Sequence, residues 1–263
     1  MTKPLSGKHA LITGSTQGLG LAVATRLAAD GCDVVIHGLA GSTALDAIRA
    51  RLERDHHVRV LSSGADLRHP AEIAEMLAEA GRSIGDIDIL VNNAVARHTG
   101  PIEAFAPASW DESLAVNLSA AFHTIRLVLP AMKQNKWGRI VNVSSIYGLR
   151  GAADRVGYVT TKTALIGLTR AVALETAKDG ITCNAVCPGT SESPVHHEAI
   201  ARLIASEGLS PVAAEMQLLA GKQPSARLIS AEGVAAFVAF LCSDAAADIT
   251  GAALPIDAGW AAG

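Results

Sequence analysis

Short, nearly continuous apolar runs alternate along this chain with longer stretches whose apolar positions recur at helical spacing. His9–Thr13, Asp33–His37, Val58–Leu61, Ile87–Asn92, Arg139–Val143, Ile181–Val186 and Ala252–Ile256 read as strands. Helices are predicted near Gly18–Asp30, across Ala44–Arg54, over Ala71–Gly81 with Pro70 at its start, on through Lys136, and over about Val156–Lys178. A last helix precedes the seventh strand. Strands that are apolar throughout and separated by helices predict a parallel sheet covered on both faces. That is a doubly wound, Rossmann-type α/β fold of about seven strands. Residues 1–263 read as a single domain, with no linker or internal repeat. The least regular region runs from about Thr190 to Pro224 and includes Ser206-Glu-Gly-Leu-Ser-Pro211 and Gly221-Lys-Gln-Pro224. It follows the carboxyl end of a strand, where ligands bind in such sheets, so a substrate lid at about 190–224 is expected.

Composition narrows the class. Hydrophobic residues make up 49% of 263, enough for a large core, and aromatics only 3%, so Ala, Val, Leu and Ile must build it. A net charge of −3 with no basic block leaves no electrostatic footprint for nucleic acid or an anionic membrane. No apolar run approaches the ~18 residues of a membrane span. The opening residues show no signal-peptide pattern, which makes a cytoplasmic location the expectation. Cys32, Cys183, Cys187 and Cys242 have no Cys-x-x-Cys spacing and read as buried thiols of a reduced compartment. His98, His196 and His197 lack a supporting ligand cluster, and no metal is expected.

Two motifs carry chemistry. Thr13-Gly-Ser-Thr-Gln-Gly-Leu-Gly20 follows the first strand and opens the first helix. Glycines there permit a tight turn and close approach of backbone to a pyrophosphate, and a helix N-terminus favours its charge. Tyr158 and Lys162 are four residues apart. On a helix they share a face, and a cation beside a phenol favours its ionised form. A tyrosine so placed can serve as a general acid/base near neutral pH. Asp66, after the third strand, reads from its position as a helix N-cap or turn carboxylate.

Thr13–Gly20, Asp66, Asn92-Asn93-Ala94, Asn117, Ser145, Tyr158, Lys162 and Pro188-Gly189 occur in the order and spacing of one family. In these marks the chain resembles the short-chain dehydrogenase/reductases over essentially its whole length. The resemblance implies that Tyr158 exchanges a proton with the substrate oxygen, which Ser145 positions. Ser144 is the rival for that serine role. Lys162 would act on the tyrosine and hold the nicotinamide ribose, and Asn117 would support a water relay. It further implies a nicotinamide cofactor held by Gly14, Thr16, Gln17, Gly18, Leu19, Gly20, Leu39, Asp66, Leu67, Asn93, Ala94, Tyr158, Lys162, Pro188, Gly189 and Ser193. At His37-Gly38-Leu39, near the end of the second strand, there is neither an acid for the ribose hydroxyls nor an arginine for a 2′-phosphate. The lack of a cation there favours NAD over NADP. Val95 departs from the family's glycine and is expected to crowd the adenosine side.

Within that family the chain is most similar to the bacterial D-3-hydroxybutyrate dehydrogenases, which implies a homotetramer. Shared stretches include Ala10–Thr16, Ala173–Ala177, Lys222-Gln-Pro224 and Gly259-Trp260. The polar contacts to substrate differ: the matching positions here are Arg97, Ala199, Tyr147 and Arg155, with Thr190 in place of a tryptophan. Substrate contacts are therefore expected from Arg97, Ser145, Tyr147, Arg155, Tyr158 and Thr190. Arginine forks suit a carboxylate, unless they pair with Asp154 or Glu192 instead. Arg150 on the same loop adds to the field. A hydroxy acid larger or more anionic than 3-hydroxybutyrate is the leading expectation. A carbonyl reductase for neutral ketones and a non-catalytic dinucleotide-binding protein are the competing classes.

Overall fold

The computed structural model describes residues 3–262. Seven strands form one sheet: β1 (His9–Ile12), β2 (Asp33–His37), β3 (Val60–Ser63), β4 (Ile89–Asn92), β5 (Gly138–Val143), β6 (Ile181–Pro188) and β7 (Ala253–Ile256). Their order is β3-β2-β1-β4-β5-β6-β7, and every pairing is parallel. The order reverses between β1 and β4, which leaves a crevice beyond their carboxyl ends.

Helices cover both faces, and the period-two alternation of each strand assigns its residues between them. On one face Ala10 and Ile12 of β1 and Ile89 and Val91 of β4 meet α1 (Gly18–Ala29), α2 (Ser42–His56) and α9 (Ala231–Leu241). On the other, Leu11 and Leu90 meet α3 (Pro70–Ser83), α5 (Ala120–Asn135) and α6 (Val156–Thr176). The cores are aliphatic, as the scarcity of aromatic residues requires. The four cysteines are free and buried in them.

A continuous helical run, Pro107–Asn135, joins α4 (Pro107–Leu114), a π-helical turn (Ala115–Ser119) and α5. By length and mean hydropathy (1.3) this run is apolar enough to cross a membrane, a property not apparent in the unbroken apolar runs of the sequence. Its inner side packs against the sheet and α3, through Ile125, Val128 and Met132 among others.

The region expected to be irregular is not. It holds α7 (Pro194–Glu207) and α8 (Pro211–Leu218). The Ser-Pro pairs that looked like breaks are helix starts: Ser193 and Ser210 cap first-turn N–H groups, and a proline occupies the first helical position. Gly208 ends α7 in the left-handed conformation (φ 67°). Neither helix buries much: α7 has no fully buried residue, and α8 only Ala214.

Candidate active site

A cavity of about 470 Å³ occupies the crevice at the β1/β4 reversal and runs from the glycine turn to Tyr158 and Lys162. Gly14 has φ 63°, and a Cβ there would stand 2.8 Å from Ala94 Cα. A Cβ on Gly20 would collide with the Gly14 carbonyl. These two glycines therefore set how closely α1 approaches the strand that precedes it. Gln17 heads α1 without a side-chain capping hydrogen bond, so the helix leaves first-turn N–H groups uncapped at the cavity. An anion fits that end of the helix on both geometry and charge.

The turn is braced from outside. Asn93 Nδ2 donates to the carbonyls of Thr13 (2.9 Å) and Gly14 (2.8 Å), while Thr13 Oγ1 accepts from the N–H groups of Asn93 and Ala94. Asn93 thus lines the cavity, but its amide is committed to the loop. His37 is the second brace, and sequence reasoning missed its role. Gly14 N–H donates to His37 Nδ1 (3.1 Å), which fixes Nδ1 as the acceptor. Nε2 then carries the hydrogen and donates to the Ala65 carbonyl (2.8 Å). Burial holds the imidazole below its usual pKa, in keeping with this neutral tautomer. The side chain at the end of β2 therefore points into the glycine turn. Leu39, two residues on, is exposed at the cavity.

Asp66 and Leu67 line the adjoining wall. The hydrogen-bonded Arg68 guanidinium beside Asp66 holds its carboxyl down to about 2, and Arg68 also approaches Glu112 (3.8 Å). Asp66 is thus also a turn carboxylate: its Oδ1 accepts from the Arg68 N–H (2.9 Å). Val95 lines the cavity without a positive φ, so its Cβ is carried without backbone strain. Thr16, Leu19, Ala94, Pro188, Gly189 and Ser193 line the cavity as well.

At the far end stand Ser145, Tyr158 and Lys162. The two serines separate by their partners. Ser144 is buried and donates to the Lys162 carbonyl (2.8 Å), whereas Ser145 Oγ accepts from Tyr147 N–H (3.2 Å) and lines the cavity. Tyr158 and Lys162 share one face of α6, with Nζ 5.7 Å from the ring centroid. Lys162 is buried and donates to the Val143 carbonyl (2.7 Å). Burial, then the charge of Arg97, pulls its pKa from the lysine range to about 7. Asn117 lies behind this group in the π-helical turn. Its Oδ1 accepts from Ala96 N–H (2.7 Å), and its Nδ2 donates to Ala96 O (3.0 Å) and Thr161 Oγ1 (3.3 Å).

A side pocket opens past Tyr158. Arg97, Tyr147, Arg155 and Thr190 line it with Ser145 and Tyr158. The Arg97 guanidinium is 5.6 Å from the Tyr158 ring centroid, and that of Arg155 is 5.7 Å from Tyr147's. Ala199, matched to a polar substrate contact in the sequence, lies along α7 and does not line this pocket. Arg150 is also outside it and donates to the Trp260 carbonyl. Among the described residues none of Arg97, Arg150 and Arg155 pairs with a carboxylate; Glu192 instead accepts from Ala231 N–H (3.3 Å) at the start of α9. His98 pairs with Glu112 (2.7 Å), away from the substrate pocket. Lys222 and Trp260 line the pocket and were missed, because residues this distant in sequence share no local pattern; His196, a polar candidate in the sequence, lines it as well. Among the described residues no three His, Cys, Asp or Glu side chains form a metal-binding group.

Comparison with known proteins agrees with this geometry. The family model described as short chain dehydrogenase matches residues 8–239. A D-beta-hydroxybutyrate dehydrogenase of Cupriavidus necator is 42% identical over 98% of this chain and 99% of its own length. The corresponding protein of Rhizobium meliloti is 38% identical, covering 97% and 99%. Among solved structures, L-sorbose reductase of Gluconobacter frateurii, complexed with NADPH and L-sorbose, superposes with a TM-score of 0.93 at 30% identity, covering 99% of both chains.

Proposed function

This chain belongs to the short-chain dehydrogenase family, and we propose that within it the protein is an NAD-dependent oxidoreductase that interconverts a hydroxy acid and its keto acid. The observation that carries the reading is the single cleft joining an uncapped helix N-terminus and glycine turn to Ser145, Tyr158 and Lys162. Those residues fit a dinucleotide: the turn and α1 N–H groups would hold the pyrophosphate, and Lys162 the nicotinamide ribose. When bound, the cofactor supplies the hydride acceptor or donor.

The protein's own part is position and proton transfer. Ser145 holds the substrate oxygen through its hydroxyl, beside Tyr158. Tyr158 takes the hydroxyl proton during oxidation and returns it during reduction. The positive charges of Lys162 and Arg97, 5.7 and 5.6 Å from the phenol ring centroid, stabilise the phenolate. Asn117 anchors the π-helical turn behind Lys162 and supports proton passage to water; such turns recur at functional sites.

Three features support the finer points. Leu39 stands near the end of β2, and Arg68 is engaged by Asp66 and Glu112, so a 2′-phosphate has no free cation there; this favours NAD over NADP. Arg97 and Arg155, unpaired at the side pocket, favour a carboxylate larger or more anionic than 3-hydroxybutyrate. The likeness to a sorbose reductase favours the alternative, a carbonyl reductase for neutral ketones. Turnover of a keto acid beside that of its ester separates the two. The weakly anchored α7 and α8 suit a lid over the pocket. Exposed Phe122, Leu174 and Phe240, on α5, α6 and α9, suit a homotetramer. Four unpaired thiols suit the cytoplasm.

The test is Tyr158→Phe. Loss of the general acid/base should lower kcat by about 10³-fold, within the usual 10²–10⁴, while NADH still quenches or shifts protein fluorescence. Turnover retained by this variant would overturn the mechanism. Failure of the wild-type protein to bind either NADH or NADPH would overturn the oxidoreductase reading.

A further inference from the structure

The side pocket carries more positive charge than one carboxylate needs. Arg97, Arg155 and Lys222 line it, and no aspartate or glutamate does. The nearest acids are engaged elsewhere or face away. Glu192 accepts from the start of α9, Asp257 accepts from Gly259 and Ala261 N–H groups, and Asp154 is exposed. Lys222 is half-buried and donates to the Leu218 carbonyl (2.9 Å), which leaves two of its three hydrogens. His196 does not add charge: its Nδ1 is held by the Ser191 carbonyl (2.7 Å), and burial with Arg97 and Lys222 nearby keeps it neutral.

The two arginines lie over different rings, Tyr158 and Tyr147, which mark two poles of the pocket. Arg97 lies over Tyr158, and its field lowers the pKa of Lys162. Arg155 lies over Tyr147, and its field, after burial, lowers that of Lys222. The two rings stand edge to face, 6.4 Å apart, between the poles. Backbone fixes the arrangement. Gly100 N–H donates to the Asp154 carbonyl (2.9 Å), and Gly100 bridges to Arg155, so the loop bearing Arg97 is tied to the loop bearing Arg155.

Resting on the oxidoreductase reading above, we propose that the substrate is a short hydroxydicarboxylate, with one carboxylate at Arg97 and the other at Arg155 and Lys222. Its carbinol then faces Ser145 and Tyr158 between the poles. In the oxidation the carbinol carbon would give up its hydrogen with the electron pair to the nicotinamide cofactor that the cleft would hold, and Tyr158, as the phenolate, would take the O–H proton, which leaves a ketodicarboxylate. A phosphate monoester places both negative charges at one end and satisfies only one pole.

The experiment measures kcat/KM with NAD⁺ for malate, 2-hydroxyglutarate and 3-hydroxyglutarate, their half-methyl esters, 3-hydroxybutyrate and a hydroxypropyl phosphate. The best diacid should exceed its own half-ester and 3-hydroxybutyrate by about thirtyfold, the size of one charge-assisted contact. Arg155→Gln and Lys222→Gln should each shrink that ratio by about tenfold or more. A half-ester, 3-hydroxybutyrate or the phosphate turned over as well as every diacid overturns the proposal and leaves the oxidoreductase reading standing. So does a ratio unchanged in both variants. A binding arm is independent of turnover: with NADH present, glutarate or succinate should raise the melting temperature at concentrations at least tenfold below butyrate. Equal potency of these acids overturns the proposal. Hydride transfer from none of the compounds, with no NADH or NADPH binding, instead overturns the oxidoreductase reading.

Discussion

The two halves of the cleft are built on opposite rules. In the cofactor half, polar side chains are satisfied by the protein itself: Asn93 by two loop carbonyls, His37 by Gly14 and Ala65, Asp66 by Arg68. In the substrate half, Arg97 and Arg155 have no carboxylate partner among the described residues. The first half is a cradle whose shape is finished before a ligand arrives. The second is a charged surface completed by what binds. Satisfied polar groups stabilise the fold, while unsatisfied ones confer selectivity and lend the fold little.

Substitutions in each half should therefore move different observables. The largest effect is expected from Arg97→Ala in the substrate half. Losing a hydrogen bond to a charged group contributes about 1.5–3 kcal/mol, so KM for the true substrate should rise about 10- to 100-fold. Because Arg97 is exposed and unpaired, the melting temperature should stay within a degree or two. A large thermal loss would erase the division between halves. Asn93→Ala is the converse. It leaves two loop carbonyls without a donor and should reduce unfolding stability by about 2 kcal/mol. Chemical denaturation measures that loss, and an unchanged midpoint would show the brace to be dispensable.

The smallest effect is expected at His37. Its pKa in the folded chain lies below the unfolded value near 6.5, so the unfolded chain takes up the proton first as pH falls. Stability is complete above about pH 6.5 and declines below it, because the unfolded chain takes up a proton while folded His37 stays neutral to accept from Gly14 N–H. Between pH 7.5 and 5.5 the wild-type protein should lose up to about 1 kcal/mol more than His37→Gln. Identical acid sensitivity in the two proteins would remove the histidine from this account.

The same division governed what was legible in the sequence. The five central strands were readable because they are buried on both faces, and Tyr158 and Lys162 because helical spacing makes them neighbours. The glycine turn was readable from local chain requirements at Gly14 and Gly20. Family spacing favoured Ser145 over Ser144, and the fold adds a physical ground, since the Lys162 carbonyl takes the Ser144 hydroxyl. The helices α7 and α8 were misread because they bury almost nothing, which leaves no clear apolar stripe and draws the eye to their Ser-Pro starts. Lys222, His196 and Trp260 join Arg97 and Arg155 only through tertiary structure, and His37 reveals its function only through the direction its ring takes.

The bridge between Gly100 and Arg155 has a consequence for how this pocket can change. It makes the separation of the two guanidinium-bearing loops a property of backbone length. Side-chain substitution can remove a charge or alter its reach, but it cannot easily re-space the pair. Adapting the pocket to a longer or shorter molecule calls for insertion or deletion in the segment 95–100 or 149–155, two loops that border Tyr158 without belonging to the sheet. On the diacid proposal the bridge would work as a ruler: chain length between fixed points would set substrate size, separately from the residues assigned to the reaction.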